Sequence, residues 1–191
     1  MIAGKSANTA FSYYCDLRGF SRFMKRRRGL VPDDSEMKDI DPKGLDTAFW
    51  ATVTKEDIYE YLYFLSRECG NKKSSTARRL ASLHGFYDYL VNQVNRLDAD
   101  PTAAIHPPKQ DKVLPKYLTA EQSIELLEST QTQSDFPERD YCMVVLFLNC
   151  GMRLAELVGM NLDDIDLENR QIRLFGKGHK ERMAVSYTHL T

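Results

Sequence analysis

The chain has 191 residues, 42% of them apolar and 28% charged, with a formal net charge of −1. This composition excludes disordered, collagen-like and disulfide-scaffold classes and leaves room for one domain or two small ones, each with a core. The longest apolar run, Tyr141 to Cys150, is about half the roughly 20 residues needed to cross a bilayer. Met1 to Ser6 carries no apolar signal core. No membrane association is expected, and the expected location is cytoplasmic. Cys15, Cys69, Cys142 and Cys150 form no C-x-x-C pair, and the four histidines show no ligand spacing. Free, buried thiols and no metal site are therefore expected.

The charge is unevenly spread. Residues 1–110 hold 17 Lys and Arg against 14 Asp and Glu, whereas residues 111–191 hold 9 against 13. Because Asp33, Asp34, Glu36, Asp39, Asp41 and Asp46 crowd one stretch, basic clusters elsewhere are left unneutralised.

Residues 8 to 28 are predicted as a helix, since Ala10, Tyr13, Tyr14, Leu17, Phe20 and Met24 recur every three or four positions. Asn8 or Ser6 is the candidate cap and Gly29 the stop, and Arg26, Arg27 and Arg28 suit the helix's negative end. Arg18, Arg22 and Lys25 share another face. Residues 30–52 form an acidic connection punctuated by Pro and Gly, expected as a mobile loop with a short helical turn. Thr54 to Asp57 has the form of a capped start to a second helix, with Ile58, Tyr61, Leu62 and Leu65 inward and Gly70 as the stop. A third helix is predicted from Ser74 or Ser75. It turns Leu80, Leu83, Tyr87, Leu90, Val91 and Val94 inward and places Ser75, Arg78, Arg79 and Ser82 opposite.

Residues 98–116 contain four of the seven prolines and almost no periodicity, which predicts an extended linker. Beyond it, Thr119 to Gln122 has capping-box spacing with Ile124, Leu126 and Leu127 behind it. An apolar helix over 138–149 ends at Gly151, and a short one follows over 153–159. Three strands are predicted: Ile165–Leu167, Gln171–Phe175 and Glu181–Val185, the last two joined through Gly176-Lys177-Gly178. The halves share no repeat. The organisation is a mostly α, two-domain chain: a helical domain over 1–100, a linker over 101–116, and an α+β part over 117–191 with a small three-stranded antiparallel sheet.

Gly151-Met152-Arg153-Leu154-Ala155-Glu156-Leu157 and, after an interval, Gly176-Lys177-Gly178-His179-Lys180-Glu181-Arg182 closely resemble the tyrosine recombinase (phage integrase) family, Xer-like members included. The first matches that family's G-x-R-x-x-E-L box and the second its G-K-G-x-K-x-R hairpin. Upstream, Leu114-Pro115-Lys116-Tyr117-Leu118-Thr119, the Ser75-to-Leu90 helix and Ser6-x-x-Thr9-x-x-x-Tyr13 extend the resemblance over nearly the whole chain. The resemblance implies a SAM-like helical core-binding domain over 1–100 and the first part of the catalytic domain over 117–191.

It also implies a chemistry, in which a tyrosine attacks a DNA phosphodiester, forms a 3′-phosphotyrosyl bond and releases a 5′-hydroxyl, without metal, ATP or other cofactor. By resemblance, Arg153 is the arginine that binds the non-bridging phosphate oxygens, a task suited to a planar, bidentate, permanently charged guanidinium. Lys177 is the lysine that protonates the leaving 5′-oxygen. Glu156, one turn beyond Arg153, is placed to orient rather than to react. The expected partners are double-stranded DNA and, in the full-length enzyme, other recombinase protomers. Arg18, Arg22 and Lys25, with Ser75, Arg78 and Arg79, resemble the family's two DNA-facing helices, and Lys180 and Arg182 also match family positions. Each of these residues has a plainer reading as a solvated surface cation or polar group. Phosphate contact is expected of them, base reading is not.

The family's His-x-x-Arg box, its later histidine or tryptophan and its nucleophilic tyrosine lie well beyond residue 185. The ending Val185-Ser186-Tyr187-Thr188-His189-Leu190-Thr191 does not match the family, and Tyr187 and His189 lie too near the Lys177 hairpin to take those roles. The family usually has a further helix before Gly4-Lys5-Ser6 as well, so both ends are expected to be incomplete. This chain is then expected to bind DNA without cutting it. The rival readings are a non-catalytic DNA-binding module, accessory or competitor derived from a recombinase, and a helical transcriptional regulator. The regulator leaves the Arg153 and Lys177 spacing to chance.

Overall fold

The computed structural model describes residues 6–32, 34–107, 114–176 and 180–185. The chain divides into two compact units, Met1–Lys112 and Val113–Thr191.

The first unit is helical: α1 (Ala7–Arg27), α2 (Thr47–Ala51), α3 (Lys55–Arg67) and α4 (Lys73–Asp88), the last running on into a π-helical turn, Tyr89–Gln93. Local chemistry sets three of the starts. The side chains of Ser6, Asp46 and Thr54 accept the N–H groups of Thr9, Phe49 and Asp57, and Asp57 returns the bond to the Thr54 N–H. The fourth start departs from expectation, because α4 begins at Lys73 behind Lys72, with no side-chain cap from either serine.

Phe20 and Met24 of α1, Ile58, Tyr61 and Leu65 of α3, and Leu80, Leu83 and Tyr87 of α4 are each no more than 1% exposed. The α1 stripe is rotated from the predicted one. Tyr14 is 53% exposed, and Asp16 lies in the buried row at four-residue spacing with Phe20 and Met24.

Two expected loops are structural. In the acidic connection Ile40 is buried, and the carbonyls of Ile40 and Lys43 accept Arg22 Nε and Lys25 Nζ. The first part of the expected extended linker belongs to the first unit: Ile105 joins its core, as does Leu97 just ahead of that stretch, and Thr102 is fully buried. The Thr102 hydroxyl donates to Asp100 Oδ1 (2.6 Å) and meets His84 Nδ1 (2.9 Å), while His84 Nε2 lies 3.2 Å from the Ile105 carbonyl. A lone apolar anchor in irregular backbone has no period to read, which is why the composition suggested a linker.

The second unit contains α5 (Ala120–Gln133), α6 (Pro137–Cys150), α7 (Leu154–Val158), a 3₁₀ turn (Leu162–Asp164) and the strands β1 (Ile165–Asp166), β2 (Gln171–Gly176) and β3 (Lys180–Val185). They form one antiparallel sheet in the order β1-β2-β3, with Leu174 opposite Arg182 and Gly176 opposite Lys180. Alternation along β2 buries Ile172 and Leu174, which meet Met152 and Ala184. Of the three residues expected behind the α5 cap, Leu127 is buried, whereas Ile124 and Leu126 are exposed.

The cysteines are free, yet they are not the buried thiols expected: Cys15, Cys69 and Cys142 are exposed and Cys150 is half-buried. Among the described residues no helix is long and apolar enough to cross a membrane, and no group of His, Cys, Asp and Glu is placed to hold a metal ion.

Candidate functional site

The arginine site begins with a glycine. Gly151 ends α6 at φ +55°, a left-handed conformation that side chains resist, and the chain reverses there. Two residues on, Arg153 occupies the cap position of α7 in extended backbone. The Glu156 carboxylate turns back on it: Oε2 accepts the Arg153 backbone N–H at 2.9 Å and Oε1 accepts Arg153 Nη1 at 2.8 Å. Arg182 of β3 reaches the same carboxylate, its Nη2 donating to Oε2 at 2.9 Å. Its other bonds go to the carbonyls of Cys150 (3.3 Å) and Gly151 (3.1 Å), which lie at the end of α6 where helix carbonyls lack partners.

Glu156 is thus a buried anion between two cations, its side chain 2% exposed while that of Arg153 is 74% exposed. Burial of a carboxylate is tolerated when hydrogen bonds and charge compensate it. The Arg153 backbone N–H, followed by the Arg182 guanidinium, holds the Glu156 carboxyl down to about 2, so it is ionised throughout the neutral range. The end of β2 lies beside it, since a Cβ on Gly176 would come within 3.5 Å of Glu156 Oε1. Arg173 on the same strand pairs with the buried Asp164 at 3.3 Å. The arrangement presents an exposed guanidinium whose inner edge is fixed. It can take a phosphate by two parallel bonds and, sitting on fixed protein dipoles, can stabilise developing negative charge. Lys177, the expected proton donor, lies outside the described residues, as do Tyr187 and His189.

In the helical unit the expected DNA-facing residues are more tied down than their spacing suggested. Arg18 lies 5.4 Å from the centre of the exposed Tyr14 ring. Arg22 and Lys25 are held by the 40–43 carbonyls, bonds that leave their charge uncompensated. Ser75 is half-buried in the first turns of α4. Arg78 forks onto Asp16, Arg79 Nε lies 3.8 Å from Asp16 Oδ1, and Ser82, expected on an open polar face, is fully buried with its hydroxyl on Asp16. Lys180 is exposed at the start of β3. The structure therefore brings Arg78, Arg79 and Ser82 together around one carboxylate and ties Arg22 and Lys25 to one loop.

Sequence reasoning missed Asp16. Its signal was its four-residue spacing ahead of Phe20 and Met24, a charged group in a buried row. It also missed that Arg27 and Arg28, read as partners of the helix dipole, clamp Asp57 at 2.7 Å each. Burial opposes ionisation of Asp57, but the Thr54 N–H and these guanidiniums outweigh it and hold its carboxyl below the ordinary range.

A helical unit followed by an α/β unit that carries an exposed arginine on a buried glutamate defines a class, and comparison with known proteins agrees with it. Residues 116–187 match the phage integrase family, and residues 43–94 match the phage integrase N-terminal SAM-like domain. The chain belongs to this family, that of the tyrosine recombinases. It is 41% identical over 181 residues to tyrosine recombinase XerC of Caldanaerobacter subterraneus subsp. tengcongensis, a match covering 95% of this chain and 50% of the relative. It is 36% identical over 176 residues to tyrosine recombinase XerD of Halalkalibacterium halodurans, covering 88% of this chain and 58% of that one. The chain thus spans about half the length of the curated relatives it matches. Among solved structures, a lambda integrase dimer bound to a COC′ core site shares the fold with a TM-score of 0.61 at 18% identity, covering 95% of this chain and 56% of that one. The XerH site-specific recombinase bound to a difH substrate matches with a TM-score of 0.57 at 20% identity, over 85% of this chain and 44% of that one.

Proposed function

We propose that this chain serves site-specific DNA recombination, binding duplex DNA and supplying part of the charge-stabilising apparatus of a tyrosine recombinase. In that reaction a tyrosine oxygen bonds to phosphorus, the bond to the 5′-oxygen breaks, and the freed 5′-oxygen takes a proton. Attack by another 5′-hydroxyl reverses the step. The observation that carries the reading is the exposed Arg153 guanidinium anchored on buried Glu156. Arg153 stabilises the charge gathering on the non-bridging oxygens, and Lys177 is the proton donor to the leaving oxygen. Arg18, Arg22, Lys25, Ser75, Arg78, Arg79 and Lys180 are assigned to the phosphate backbone, which positions the protein without reading sequence. Other protomers are the expected partners in strand exchange, and the assigned setting is the cytoplasm.

The test is binding of the chain to a labelled duplex across a salt series. Contacts to four to six phosphates would give a log–log slope of about −4 to −5. Absence of binding at low salt, or affinity indifferent to salt, overturns the reading. The chemistry is tested by joining the chain to the remaining length of the XerC relative. A covalent protein–DNA adduct on a nicked duplex is expected, and Arg153→Lys should keep binding while slowing adduct formation by more than about tenfold.

A further inference from the structure

We infer that Arg182 is a positioning residue for Arg153 rather than a phosphate contact: it ties β3 to the end of α6 and to Glu156, and so fixes the guanidinium that faces the phosphate. The inference deepens the reading above and rests on it for the role of Arg153. Its basis is where the donors of Arg182 point. Among the described residues its bonds go to protein groups, Cys150 O, Gly151 O and Glu156 Oε2, all more than 25 residues upstream in sequence. These bonds commit both Nη atoms of Arg182 to two main-chain carbonyls and a carboxylate, on a side chain that is 40% exposed against 74% for Arg153.

The three acceptors explain why an arginine is needed. The last carbonyls of α6 form the negative end of a helix, and Glu156 adds a full negative charge that is 2% exposed. Arg153 alone compensates that charge poorly, because its side chain is 74% exposed and well hydrated. Arg182 supplies the second cation and, through its planar fork, holds the carboxylate at a fixed distance from the turn that carries Arg153. A lysine has the charge but no fork. Arg182 also stands on the strand that pairs with β2, opposite Leu174, so the bridge Arg153–Glu156–Arg182 links the β2–β3 hairpin to the arginine turn. The hairpin carrying Lys177 in its sequence is thereby coupled to the residue that binds the phosphate.

The experiment uses the 191-residue chain with Arg182→Ala, Arg153→Ala and the double variant. The readouts are the salt slope of binding to a labelled duplex and the Glu156 titration followed by carboxyl carbon resonance. In the Arg153→Ala background, Arg182→Ala should leave the slope unchanged and affinity within about twofold, because a positioning residue has nothing left to position. A direct phosphate contact would still remove about 0.9 from the slope there, and that result overturns the inference. The Glu156 midpoint should rise by about one pH unit or more, tenfold in proton affinity, in Arg182→Ala; an unmoved midpoint overturns it equally. If Arg182→Ala does not fold, Arg182→Lys answers the same question, since a phosphate contact would tolerate lysine with the Glu156 midpoint in place, whereas the bridge predicts that the midpoint rises. Should the wild-type chain fail to bind DNA, the proposed function falls, while the Glu156 titration still decides whether Arg182 holds the carboxylate.

Discussion

Asp16 of α1 and Arg78 of α4 form a two-pronged ion pair across 62 positions of sequence: Arg78 Nη2 donates to Oδ1 at 2.9 Å and Nη1 reaches Oδ2, on a carboxylate whose side chain is 4% exposed. Ser82 donates to the same carboxylate at 2.6 Å. An arginine assigned to DNA by its helix position is therefore also a clasp between two helices. Arg78→Ala should destabilise the helical unit by about 3 kcal/mol, because it leaves a buried charge short of its main partner. Arg18→Ala, which removes a cation resting on an exposed ring, should cost less than about 0.5 kcal/mol. Urea denaturation of the two variants compares them. Equal losses would show that Asp16 does not depend on Arg78. Loss of DNA affinity is thus cleanly interpretable at Arg18 and only after correction for stability at Arg78.

The second prediction concerns pH. Glu156 is held at about 2 in the folded chain, below the roughly 4.3 of an unfolded glutamate. A depressed folded value means that its stabilisation is complete above the unfolded value and is lost as pH falls from there toward 2. The wild-type second unit should therefore lose stability on acidification through this window more steeply than Glu156→Gln, which has no proton to take up. Denaturant midpoints measured from neutral pH downward provide the check. Parallel pH profiles would remove Glu156 from the linkage.

Asp57 caps α3 and receives both Arg27 and Arg28. Asp57→Ala should cost about 2 kcal/mol, from a lost cap and lost charge-assisted bonds. Asp57→Asn should retain part of the cap and cost less. Thermal unfolding of both variants tests this ordering, and a reversed order would show that burial of the charge outweighs its bonds.

The fourth prediction locates the end of the helical unit. Ile105 is 2% exposed and Thr102 fully buried, so a fragment ending at residue 100 should be less stable than one ending at 107 by about 2 kcal/mol or more, the value of one buried isoleucine side chain. Thr102→Val in the longer fragment should cost about 1 kcal/mol by cutting the Asp100–Thr102–His84 chain of bonds. Fragments of equal stability would return residues 101–105 to the linker.

The sequence by itself determined the helices with strong period and side-chain caps, since a capping box such as Thr54–Asp57 or Thr119–Gln122 is a bond between near neighbours. It likewise determined the sheet, because alternation around Gly176-Lys177-Gly178 needs only local pattern, and the family, because Arg153, Glu156 and Lys177 recur at characteristic spacing. Only the tertiary structure decided which charges are free and which are partnered. Helical periodicity separates polar faces from apolar ones but cannot say that Asp16, in the row of Phe20 and Met24, draws Arg78 and Ser82 inward, nor that Arg182 bends onto Glu156 and the end of α6. Those pairings join residues 26 to 66 positions apart. They form because a buried carboxylate must be compensated by whichever cations the fold brings within reach, and that reach is a property of packed helices and strands, with no trace in local pattern.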